Sequence, residues 1–326
     1  MIKKIFINSQ NRIRLLYKFP VMLVVSYLLS FYFGYLLIYN LQFFFSERSG
    51  VSFDFDYVSS SIGDMKVEQI TWELAFIAVV FLFAKYIDRF SYKDLGIYFN
   101  KTAVSRLLTG IVAAAFFIVL PFLINLLLGT IEIEGFYWNV NISGKSIIIV
   151  FIYETILLML VAFQEELFNR GYLLNCLSKI KPVFAIIISS VLFSLLHILG
   201  ADWENNPTGS LIGVLNILLI GVIYSYYFIH TKDLWLIMGA HFSWNLIQGA
   251  VLGLPISGDP GKGLLVTRVI QDNLLTGGNF GLEGGLLVTA SLVAMFIALH
   301  FYVTRIKSGV KSGDGSPNQK IRGTFS

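Results

Sequence analysis

The chain has 326 residues, 56% of them hydrophobic and only 13% charged, with a mean hydropathy of +0.73. That composition excludes an ordinary soluble domain and describes a polytopic membrane protein. The net charge of +4 gives no reason to expect a nucleic-acid partner, and the single cysteine, Cys176, excludes an internal disulfide and makes redox chemistry a poor reading.

A helix needs roughly 20 apolar residues to cross the hydrocarbon core. In chain order, runs near that length fall at about 20–43, 70–87, 107–128, 146–168, 183–200, 210–229, 234–254 and 282–304. The first is too long for a signal peptide and has no small-residue cleavage site after it, so it reads as a retained helix. The predicted fold class is all-α, a polytopic transmembrane bundle of about eight spans. Three spans occupy residues 1–145, and four form a core over 146–255. An external loop, the last span and a polar, disordered cytoplasmic tail make up 256–326. With the N-terminus inside, the cytoplasmic segments (1–19, 85–106, 179–182, 230–233 and 305–326) hold 18 of the 24 lysines and arginines, which predicts that both ends face the cytoplasm. The external loops are 46–69 and 255–281. The second is rich in glycine and reads as flexible, and its "GDPGKG" lacks the strand, spacing and hydroxyl residue of a phosphate-binding loop.

Charged side chains inside such spans cost about 2.5–3.5 kcal/mol each on insertion scales, so each asks for a partner or a function. Residues 164–170 read "QEELFNR", directly after a strongly apolar run. Glu166 and Arg170 are four apart and suit an ion pair on one helix face. Glu165 lies about 100° further round the helix and needs another partner. Two of the four histidines fall in apolar spans: His197 in "FSLLH" and His241 in "HFSWN". His230 and His300 sit near span ends and read as interfacial. Glu165 and His197 stand about sixteen positions either side of the turn near Lys179–Pro182, which puts them at similar depth. His241 and Asn245, at i and i+4, share a face. Glu165, His197, His241 and Asn245 can therefore converge from three helices.

Such a set can hydrolyse a peptide bond, with a glutamate taking a proton from water, a histidine orienting that water, and a second histidine with an amide donating to the oxyanion. The rival arrangement is a zinc site with Glu165, His197 and His241 as ligands. No H-E-x-x-H, no G-x-S-x-G and no aspartate within a span points to another protease chemistry. Ser189, Ser190, Ser194, Ser225 and Ser243 suit close helix packing. Glu73, Glu154 and Glu283, near span ends or alone, receive no role.

"EELFNR" (165–170), "FSLLH" (193–197) and "HFSWN" (241–245) resemble, in order and spacing, the E-E-x-x-x-R, F-x-x-x-H and H-x-x-x-N/B motifs of the CAAX-protease and bacteriocin-processing (CPBP or Abi) family of intramembrane endopeptidases. The resemblance covers about residues 145–255. It implies that Glu165 is the base, His197 its partner on the water, and His241 with Asn245 the oxyanion site, while Glu166 and Arg170 shape the helix. The family has been described as metal-dependent and, more often now, as glutamate-type. Asn245 beside His241 favours an oxyanion donor pair and no cofactor, with zinc the alternative. The expected substrate is a membrane-associated peptide or protein, and the expected location is the lipid bilayer of a bacterial plasma membrane. Two non-proteolytic alternatives are a proton-coupled transporter and a bacteriocin-immunity scaffold that keeps the motifs for packing.

Overall fold

A computed structural model describes residues 15–49, 67–136, 147–177, 181–261 and 263–312. Each predicted apolar run is helical over described residues: α1 (Leu15–Ser49), α2 (Val67–Leu82), α3 (Lys101–Leu127), α4 (Ile147–Glu166), α5 (Pro182–Leu196), α6 (Pro207–Thr231), α7 (Trp235–Asn245) and α8 (Leu286–Ser312). The protein is a polytopic helical bundle. Six of these helices (α1, α2 with its continuation to Asp88, α3, α5 with its continuation to Gly200, α6 and α8) are long and apolar enough to cross a membrane. Their outer faces carry exposed residues such as Phe116, Leu195 and Ile297, as a lipid environment allows. The polar tail read as disordered falls, beyond residue 312, outside the described residues.

Local chemistry sets the helix ends. Asn100 caps α3 by accepting from the Ala103 N–H at 3.0 Å, and Asn206 caps α6 by accepting from the Gly209 N–H at 2.8 Å. Pro182 and Pro207 open α5 and α6, where the missing N–H costs nothing. Lys232 closes α6 in the left-handed conformation.

Two features position the site. First, α4 does not stop near residue 168. It runs on through a wider π-helical stretch, Leu167–Leu173, and a last α-turn to Cys176, so "QEELFNR" sits within a long rod and not at its end. Every residue of the π-helical stretch is buried, and such insertions concentrate at functional sites. Second, α7 is enclosed: all its residues except Trp235 and Phe242 are buried. It packs so closely on α3 that a Cβ on Gly110 would collide with the Leu236 carbonyl, and one on Gly239 with that of Leu107. The Ser243 hydroxyl donates across this contact to the Ile111 carbonyl at 2.9 Å. The serines of α5 act in the expected way, Ser189 donating to the Asn169 carbonyl at 3.1 Å and Ser194 to that of Val214 at 2.7 Å.

The 255–281 loop differs from its reading as flexible glycine-rich chain. It contains β2 (Leu265–Val269), which pairs antiparallel with β1 (Ile131–Phe136), with a bulge between Ile133 and Gly135. Arg268 on β2 bonds to Glu132 and Glu134 on β1. Several loop glycines hold close backbone approaches. Gly281, at φ +88°, leaves no room for a Cβ beside the Pro255 carbonyl. Alternation in "IEIEGF" was the signal for the first strand.

Candidate active site

Glu166 is fully buried and serves two partners. Its Oε1 accepts from Arg170 Nη1 at 2.9 Å and from His241 Nδ1 at 2.9 Å. The expected i, i+4 ion pair is present, and it also anchors the histidine of α7 to α4. Arg170 is fully buried, with its guanidinium carbon 4.4 Å from the Phe193 ring centre and 5.5 Å from that of Tyr224. These aromatic faces replace water around the cation.

A carboxylate paired to arginine can only accept, so His241 carries its proton on Nδ1, and in the neutral ring Nε2 presents a lone pair. That Nε2 lies 3.9 Å from Glu165 Oε2. Glu165 is a quarter exposed along its side chain, whereas Glu166 is sealed, so the adjacent acids divide as their helical offset requires. The Asn169 amide donates to the Glu165 carbonyl at 2.9 Å, tying the start of the π-helical stretch to the helix before it.

Glu165, His197, His241 and Asn245 line one cavity of about 510 Å³, with the apolar side chains of Leu157, Ile217 and Ile220 on its walls. His197 caps the end of α5, where its Nδ1 donates to the Phe193 carbonyl at 2.9 Å and leaves Nε2 free to accept. Three helices thus contribute these four residues to the lining of one cavity. In addition, Glu166 couples α4 to α7 directly, which spacing along one helix could not reveal.

The cavity also holds residues that sequence reasoning passed over. Glu73 of α2 and Glu283, just before α8, both line it, as do Trp244 and Ser257. Glu283 is buried, accepting from Trp244 Nε1 at 3.0 Å and from the Ser257 backbone and hydroxyl at 2.8 and 2.7 Å. It thereby ties the 255–285 loop to α7. An acid in or beside an apolar span was the available signal for both glutamates. Among the described residues no three His, Cys, Asp or Glu side chains are grouped to hold a metal ion.

Comparison with known proteins places a family boundary on this geometry. Residues 146–247 match the Rce1-like family, described as type II CAAX prenyl endopeptidase. The Rce1-like segment holds all three motifs and covers α4 through α7, in agreement with the CPBP resemblance. The chain is also similar to the Bacillus subtilis (strain 168) protein described as "Uncharacterized protein YyaK", with 33% identity over 94 residues. That similarity covers 27% of this chain and 30% of the relative. Glu73 and Glu283 lie outside the Rce1-like segment.

Proposed function

We propose that the protein is an intramembrane endopeptidase that hydrolyses a peptide bond of a membrane-associated protein or peptide with a water activated by side chains. The observation that carries this reading is the pairing of Glu165 with His241 Nε2 at 3.9 Å on a cavity wall shared with His197 and Asn245. Two groups that far apart leave room for a water contacting both. Glu165 takes a proton from that water and later gives it to the leaving amine, and His197 Nε2 orients the water as an acceptor. The hydroxide adds to the scissile carbonyl. The Asn245 amide donates to the developing oxyanion, joined by the Nε2–H of His241 when that ring enters the reaction already as an imidazolium, its charge balanced by the buried Glu166. One such donor contributes about 2.7–4 kcal/mol to the transition state. Glu166 and Arg170 position His241 and do not touch the substrate.

The family's CAAX prenyl endopeptidase activity supports a substrate held at the membrane, and the mixed polar and apolar cavity fits an extended peptide segment. The experiment compares membrane peptides from cells carrying the wild type and Glu165→Ala. A cleaved species present in the first and lost in the second supports the enzyme. Identical peptide profiles would favour a scaffold that keeps the motifs for packing.

A further inference from the structure

Glu166 joins α4 to α7, and Glu283 makes a second connection around the same cavity. Its backbone is anchored: the Asn216 amide of α6 donates to the Glu283 carbonyl at 2.7 Å, and the Thr289 hydroxyl of α8 donates to Asn216 Oδ1 at 2.8 Å. From that base the buried side chain reaches two ways, Oε1 to the Trp244 indole and Oε2 to the backbone N–H and hydroxyl of Ser257. Trp244 is itself buried and immediately precedes Asn245 on α7. Ser257 has a left-handed backbone (φ +49°), a conformation that a serine keeps only when its surroundings impose it, and Glu283 grips it at two atoms. The turn at Ser257 presses on the segment that follows α5. A Cβ on Gly258 would strike the Gly200 carbonyl, and one on Gly200 would strike that of Ser257. Gly200 lies three residues after His197, the cap of α5. One side chain therefore bridges the residue before Asn245 and the backbone just beyond His197. Both of its oxygens face donors, so the bridge needs two acceptors, which a carboxylate has and an amide lacks.

We infer that Glu283 is a positioning residue of the hydrolytic site, holding His197, which orients the water, and Asn245, which donates to the oxyanion, at the spacing the reaction needs. This rests on the endopeptidase reading and adds to it a residue from outside the Rce1-like segment. Glu283 acts through Ser257 and Trp244 on groups that meet the water and the oxyanion. Its loss is therefore felt in the transition state more than in substrate binding.

The test uses the full chain in lipid nanodiscs and steady-state cleavage of a quenched fluorescent prenylated CAAX peptide, or of the peptide that the Glu165→Ala comparison yields. Glu283→Gln keeps the shape of the side chain but sets its amide against a donor of Trp244 or Ser257. In this variant kcat should fall by about 10²-fold while KM stays within about twofold. Trp244→Phe keeps a ring and cuts only the arm to Asn245. It should lower kcat by about tenfold in the wild type and cost nothing further in the Asn245→Ala background, whereas a general loss of structure would cost the same in both. An unchanged kcat, a rise in KM alone, or a Trp244→Phe loss that is equal with and without Asn245 overturns the inference. Should Glu283→Gln fail to accumulate, the Trp244→Phe cycle decides. Hydrogen exchange at 197–201 and 254–261, followed without substrate, reads the bridge independently of activity: both segments should exchange faster in Glu283→Gln or, failing that variant, in Ser257→Ala, and unchanged exchange in both overturns it. A wild type that cuts neither peptide removes the endopeptidase reading, and faster exchange then leaves Glu283 as the bridge between the two segments. Normal cleavage by Glu283→Gln does the reverse.

Discussion

Replacing Glu166 by glutamine isolates the part played by the buried charge. The glutamine oxygen can still take the place of Oε1 and accept from Arg170 and His241, and its amide would occupy the position of Oε2, which has no partner among the described residues. Shape and most hydrogen bonds survive; the counter-ion does not. Leaving a buried charge without its partner costs about 3–5 kcal/mol. Here the Phe193 and Tyr224 rings still face the guanidinium, so the expected loss is at the lower end, about 3 kcal/mol. The same substitution removes the charge that stabilises protonated His241, so cleavage falls by more than instability alone explains. Glu165→Gln makes the contrast. It loses only an amide-for-carboxylate exchange on a cavity wall, so it should melt like the wild type while cleavage drops by about 10²-fold or more. The assay pairs melting curves of both purified variants with cleavage rates of the folded fraction. If Glu166→Gln melts with the wild type and cleaves normally, or if Glu165→Gln melts early and keeps its activity, the division of the two acids into buried anchor and exposed base is wrong.

Asn245→Ala should retain the melting temperature and lose about 10²–10³-fold in cleavage, as the removal of one oxyanion donor does; an unchanged rate removes Asn245 from the reaction. Gly239→Leu should sharply reduce the amount of folded protein in the membrane, because the new side chain meets the Leu107 backbone across the α3–α7 contact, and normal accumulation would refute that close approach. Treatment with a strong chelator should leave cleavage unchanged; stoichiometric zinc whose removal abolishes cleavage and whose return restores it would promote the ligand set of Glu165, His197 and His241. Reporter fusions in the 255–281 loop, at Asp272, should read external and at Gly315 cytoplasmic, and a reversal at either point would overturn the orientation expected from the basic residues.

The sequence by itself determined the bundle and the three motif positions. Apolar runs near membrane length leave a chain few alternatives to helices, since every backbone polar group must be satisfied internally in lipid. Periodicity within one helix was enough to pair Glu166 with Arg170 and to put His241 and Asn245 on a common face, because those relations depend only on the rise and turn of that helix. What periodicity could not supply was any relation between helices. The 2.9 Å bond from His241 to Glu166, the burial of α7 against α3, and the arrival of Glu73 and Glu283 on the cavity that Glu165 lines depend on how separate helices rotate and tilt against one another. That rotation is set by packing of side chains far apart in the chain, such as Gly110 on Leu236 and Ser243 on Ile111, and no local pattern encodes it. The glycine-rich loop failed as a local reading for the same reason: its glycines serve close approaches to distant backbone, and its strand has no partner until β1 lies alongside it. Tertiary structure alone therefore decided that one glutamate of the adjacent pair faces a cavity while the other is sealed against an arginine, a histidine and two aromatic rings.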